Sequence, residues 1–274
     1  MAQAYDDIQG VRFTEPPETM MDIDSSIYLN RVVLFPNEDE KMDTSVQPGG
    51  ILNDERDLSK MSDHLTVWVD KYIGDANENY SALQLKFENL QVLKSTFNEQ
   101  NEIDDFTMVC EDRQVLKTLS QEYYCLKYFC QIPNAVEFIR QNSNKKIFFI
   151  SSGTIGKEII PKIYNLPQIQ GIYIFCGNIS AHVEWAGDYV ENITAMLEHQ
   201  DNLLTRLSRD IAKYLEEKGD RYKVQGLIIA TRNCYAWAKK LLTRAVALDD
   251  KGAIKLIRDL DVKIEEVNRS TEAS

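Results

Sequence analysis

The chain has 274 residues, 43% of them hydrophobic and 27% charged, with a net charge of −12: ordinary for a soluble globular protein with a sizeable core. An acidic surface repels phosphate backbones and anionic lipid, so nucleic acid and membrane are both expected not to be partners. No apolar run approaches the roughly 20 residues that a membrane helix needs.

The opening MAQAYDDIQG lacks the basic and apolar regions of a signal peptide. The five cysteines make no C-x-x-C pair. An odd count without an export signal is expected of reduced thiols in a cytoplasmic protein. Three histidines, His64, His182 and His199, assemble no zinc site of the usual spacing.

Residues 1–61 are expected to form a mostly disordered acidic arm. Stretches such as EPPETMMDIDSS and PNEDEKMDTSVQPGG hold too little apolar surface to offset the entropy of ordering. One apolar island interrupts them, Ile27–Phe35, which reads as an edge strand or as a motif that adds to a partner's sheet.

The ordered domain is expected to open at His64 and to span 62–200. Leu65–Val69 is the first predicted strand and ends in Asp70. Ala82, Leu83, Phe87 and Leu90 recur at near-helical spacing, which predicts a helix from about Tyr80. Residues 91–123 read as an insertion, with Val92–Phe97, Phe106–Cys110 and a helix around Val115–Tyr123 as its pieces.

Leu126–Cys130 is the second predicted strand, with Cys125 and Cys130 as small core residues. Pro133 suits the first turn of a helix whose Ala135, Val136, Phe138 and Ile139 face the sheet. The centre of the chain is KIFFISSGTIGKEIIPKIYNLPQIQGIYIFCG. Its apolar runs Ile147–Ile150 and Ile172–Cys176 flank a helical pattern that contains Pro161. Runs of this kind are strands buried on both faces, and a strand–helix–strand unit makes them parallel. A helix over Ala181–Tyr189, with Val183, Trp185 and Ala186 inward, and a short strand Ile193–Leu197 complete the set.

Five strands alternating with helices predict an α/β fold: a doubly wound parallel sheet in the flavodoxin-like order 2-1-3-4-5. Residues 201–274 are predicted to be a helical extension. One helix carries Leu204, Leu207, Ile211 and Leu215 and stops near Gly219. A second runs from about Tyr222 to Leu248, and a third covers Gly252–Val267.

In such a sheet, ligands bind outside the carboxyl ends of the strands near the switch point. That places Asp70, Ser151–Thr154, Cys176–Asn178 and Glu198–His199 there. Ser151, Ser152, Gly153 and Thr154 join a strand to a helix N-terminus, where free N–H groups favour an anion. The structural alternative is that Thr154 is an N-cap and Gly153 relieves a tight turn. Gly156-Lys157 lacks the surroundings of a P-loop. Nothing around Ser151 or Ser152 matches a nucleophile elbow, and His182 reads as a polar surface or cap residue rather than the base of a triad with Asp70.

The stretches VWVDKYIG, LKYF, AVEFI, KIFFISSGTIGKEIIPKIYNLPQIQGIYIFC and HVEWA resemble a module of multidomain invertebrate proteins of the bdelloid rotifer type. There it often precedes an arginine ADP-ribosyltransferase domain or tetratricopeptide repeats. The resemblance runs from Trp68 to about Glu198 and implies no activity of its own. More distantly, the pattern is similar to receiver and TIR domains. A receiver has an acceptor Asp where this chain has Ser151-Ser152, and a Lys where it has Glu198-His199. A TIR enzyme has a Glu on the helix that here carries Glu158 near its start, and a Trp-Cys pair that this chain lacks.

The expectation is a non-catalytic signalling or protein-interaction module, with a protein partner or self-association and no cofactor. The alternative is a TIR-like hydrolase that cleaves NAD or another nucleotide, with the SSG loop on phosphate and Glu158, Asp70 and Ser152 as catalytic candidates.

Overall fold

The computed structural model describes residues 63–73, 78–90 and 126–272, all within one compact unit, Gly49–Ser274. The predicted acidic arm, the island Ile27–Phe35 and the predicted pieces of 91–123 lie outside the described residues.

The strands are β1 (His64–Val69), β2 (Leu126–Phe129), β3 (Lys146–Ser152), β4 (Ile169–Phe175) and β5 (Ala195–Leu197). They form one sheet in the order β2-β1-β3-β4-β5, parallel at every pairing, as the sequence predicts. The helices are α1 (Glu78–Leu90), α2 (Ile132–Gln141), α3 (Gly153–Ile163), α4 (Val183–Gly187), α5 (Gln200–Val224), α6 (Ile228–Val246) and α7 (Ala253–Glu272).

Alternation along the central strands sends side chains to two separate cores. Val67, Val69, Ile147, Phe149, Ile172 and Ile174 pack with Ala135, Val136 and Ile139 of α2 and with Ile159, Ile160 and Ile163 of α3. Trp68, Phe148, Ile150 and Tyr173 point the other way, toward Leu83 and Phe87 of α1 and Leu204, Leu207, Ile211 and Leu215 of α5. Both faces of β1 and β3 are therefore covered, which is why their sequences are apolar without interruption. The second core continues into α6 and α7 through Trp237, Leu241, Ala253, Leu260 and Val267. Of the last three helices, α5 lies on the sheet's second face, α6 packs on α5, and α7 packs on α6.

Several expected boundaries move. β2 ends at Phe129, so Cys130 is exposed beyond the sheet rather than a core residue; its thiol donates to the Ile73 carbonyl at 2.8 Å. Phe138 is only partly buried, against the first core. The predicted helix at 181–189 is a 3₁₀ turn, Ile179–His182, followed by the single-turn α4. Val183 is 57% exposed rather than inward. A one-turn helix reaches the core with few side chains, and here Ala186 and the half-buried Trp185 take those places.

Helix α5 does not stop at Gly219. That glycine is buried mid-helix, where a Cβ would lie 2.5 Å from Cε1 of Tyr235 on α6. The missing side chain brings α5 and α6 together; it does not end the helix. The stop is Gly226, with φ +73°, a left-handed conformation that glycine adopts without steric cost. Helix α6 accordingly starts at Ile228 rather than near Tyr222. Pro161 lies in the last turn of α3, whose helical hydrogen bonding continues to Tyr164 N–H on the Ile160 carbonyl at 2.9 Å.

Candidate functional site

Parallel pairing brings the ends of β1, β3 and β4 to one edge. Val69 pairs with Ser151, and Ser152 with Phe175, so Asp70 and Ser152 follow one another across the switch point between β1 and β3. Asp70 is 4% exposed, and its Oδ1 accepts the Tyr72 N–H at 2.8 Å. The carboxylate thus closes its own turn, a common local use of Asp after a strand.

Ser151 is fully buried and faces the α3 side of the sheet. Its Oγ has no hydrogen-bond partner among the described residues, and it would lie 3.1 Å from a Cβ placed on Gly156. The same imaginary Cβ would meet Ile174 and Trp185 at 3.0 and 3.1 Å. Gly156 therefore lets α3 lie close on β3 and β4. Ser152 is the N-cap residue of α3, though its side chain makes no cap bond. Thr154 is exposed inside the first turn rather than at the cap.

Gly153 opens α3, and the ring of His182 lies against it. A Cβ on Gly153 would fall 2.3 Å from both Cδ2 and Nε2 of that ring. The His182 Nδ1 accepts the Trp185 indole N–H at 3.2 Å, which fixes the ring from the far side. His182 is the N-cap residue of α4, in line with the expected cap position, but its side chain makes no cap bond and packs on Gly153 instead. It covers the helix start at which the sequence predicts an anion. Its partner Trp185 stands three residues later, a spacing at which side chains meet along a helix. That spacing is the signal in the sequence for this pair.

Glu158 is exposed on α3. Gly153, Gly156, Ile159, Ile160 and Ile163 make up the buried face of that helix, and Glu158 stands off it. The fold brings Asp70 and Ser152 together, but Glu158 belongs to the solvent side. Farther along the edge, the Cys176 N–H donates to the Leu197 carbonyl at 3.0 Å, and the Ile179 N–H donates to Glu198 Oε1 at 3.2 Å. Burial pushes the Cys176 thiol up, and the Glu198 charge adds to it against a hydrogen bond from the Asn178 backbone. Such a thiol is a weak nucleophile. His199 is the exposed N-cap residue of α5.

The most polar buried cluster is at the opposite end of β1, where the sequence suggested nothing. Lys218 of α5, 5% exposed, places its ammonium 2.7 Å from Asp63 Oδ2. The Tyr214 hydroxyl donates to the same oxygen at 2.5 Å, and the His64 ring nitrogen lies 3.3 Å from Oδ1. Burial alone would raise the pKa of Asp63. The His64 hydrogen bond and the Lys218 charge reverse that and hold the carboxyl well below its usual range. No spacing in the sequence signals this cluster, because Asp63 and Lys218 are remote along the chain. Among the described residues, no group of three or more His, Cys, Asp or Glu side chains is arranged to hold a metal ion. No helix of the described residues is long and apolar enough to cross a membrane.

An α/β protein with a flavodoxin-like parallel sheet is the class that this geometry defines. In comparison with known proteins, the chain matches no family model, no curated protein and no solved structure.

Proposed function

We propose that this chain is a non-catalytic protein-interaction or signalling module of TIR/receiver-like type, acting in the cytoplasm through a protein partner or through self-association. One observation carries the reading: the His182 ring covers the start of α3 at Gly153, the place where a doubly wound sheet ordinarily receives a phosphate. The exposed position of Glu158, off the buried face of α3, adds to it. A carboxylate directed at solvent has no fixed distance to a substrate held at the strand ends, and catalysis depends on such positioning.

The second reading is a hydrolase that cleaves NAD or another nucleotide. The adjacency of Asp70 and Ser152 at the switch point is what favours it.

The test is nicotinamide release from NAD by micromolar full-length protein, with Glu158→Ala as the control. The expected result is no release above the blank. Turnover that Glu158→Ala abolishes would overturn the reading and place an active site beside Ser152.

A further inference from the structure

On the face of the sheet away from α5, one side of helix α2 and Lys162 of α3 line an open groove of about 600 Å³. Its apolar part is Ile132, Pro133 and Val136 of α2. Its cations are Arg140, two turns farther along α2, and Lys162 of α3. Both are exposed, and neither has a hydrogen bond or ion pair among the described residues. The acid on the groove, Glu137, is tied to its neighbour: its Oε1 accepts from Gln141 Nε2 at 3.1 Å.

The groove's own lining carries two cations, Arg140 and Lys162, against one acid, Glu137, within a protein of net charge −12. A pair of cations at one place on an acidic protein steers acidic partners there. Two free cations beside an apolar floor fit a ligand that brings both carboxylates and apolar anchors. A nucleic acid or an anionic membrane carries a far denser charge than a short acidic peptide, so the protein's net charge of −12 opposes it more.

We infer that the α2–α3 groove binds an acidic peptide segment of a partner protein, with apolar side chains on Ile132, Pro133 and Val136 and carboxylates on Arg140 and Lys162. The inference rests on the interaction-module reading and assigns it a site. From Ile132 to Arg140 the helix rises roughly 12 Å at 1.5 Å per residue. An extended ligand therefore presents its apolar anchor and its carboxylate about four residues apart, and a helical one about two turns apart.

The probe is a fluorescein-labelled synthetic peptide of alternating leucine and glutamate pairs, titrated with the full chain and followed by anisotropy. Saturable binding is expected, about tenfold weaker in the double variant Arg140→Glu/Lys162→Glu and intermediate in Arg140→Gln/Lys162→Gln. Added salt should weaken it in the wild type and much less in the charge-reversed protein. Circular dichroism of each variant serves as the check that the fold is intact.

Equal affinity in wild type and double variant would overturn the site. Equal binding of a control peptide with serine in place of leucine would also overturn it, since charge alone would then suffice. Displacement of the probe by an oligonucleotide would replace the peptide with a phosphate polyanion and refute the assignment. A protein that dimerises by light scattering, and loses the dimer on Arg140→Glu/Lys162→Glu, would put a second copy in the groove instead. Loss of the site with no NAD turnover leaves the interaction-module reading intact, whereas NAD turnover defeats that reading whatever the peptide does.

Discussion

The imidazole of His182 occupies the space that a side chain on Gly153 would need. An alanine Cβ there would be 2.3 Å from Cδ2 and Nε2 and 2.7 Å from Cε1. Contacts this short are not tolerated, so one partner has to move. The movable one is the ring, whose anchor is the Trp185 hydrogen bond to Nδ1 at 3.2 Å.

Gly153→Ala should therefore cost about 1 kcal/mol, the worth of that hydrogen bond. In a His182→Ala background the same substitution should be neutral within a few tenths of a kcal/mol, because nothing is left to displace. Urea unfolding of the four proteins measures the coupling. Equal costs in both backgrounds would show that the ring does not rest on Gly153.

A second close approach governs the helical layer. A Cβ on Gly219 would meet Tyr235 Cε1 and Cδ1 at 2.5 and 2.7 Å, and Cys234 Cβ at 3.2 Å. Tyr235 is fully buried, and its hydroxyl donates to Asp220 Oδ1 at 2.7 Å, so its ring has little room to turn. Alanine would gain about 1 kcal/mol in helix propensity, against overpacking of up to about 3 kcal/mol. The overpacking wins, and Gly219→Ala should destabilise by about 1–2 kcal/mol in denaturant unfolding. With Tyr235→Leu already present, the cost should shrink, since the ring contact is gone and Cys234 Cβ at 3.2 Å is the close approach left.

Acid stability should depend on Asp63. Its carboxyl is held below the usual range in the folded protein by His64 and Lys218, against the effect of burial. A depressed carboxylate contributes stability above its unfolded value, near pH 4, and loses it as pH falls below that. Asp63→Asn should cost about 3 kcal/mol at neutral pH, because it takes the carboxylate away from the buried Lys218 ammonium. The variant should also show a flatter loss of stability on acidification. Urea unfolding between neutral pH and pH 3 checks both. Replacing Lys218 by Met as well should recover part of the loss, as expected when a buried pair is removed together.

The sheet was legible in the residues. Leu65–Val69, Ile147–Ile150 and Ile172–Cys176 are runs of β-branched and aromatic side chains, and helical spacing lies between the later two. Those are local properties of backbone geometry, and they carry the parallel order with them. The helix ends were less legible. Gly219 and Gly226 are both glycines near the end of a helical pattern, and only one of them has a positive φ. A glycine is used either to turn the backbone or to admit a neighbour, and composition does not distinguish the two.

The candidate site divides in the same way. Strand order puts the ends of β1 and β3 side by side at the switch point, and the register of that pair brings Asp70 level with Ser152. The position of His182 on Gly153, the Asp63–Lys218 pair and the cationic groove between α2 and α3 were decided only by the tertiary structure. Each depends on how elements remote in sequence cross one another. That geometry comes from the packing of whole helix faces on the sheet, and a linear pattern of residues does not encode it.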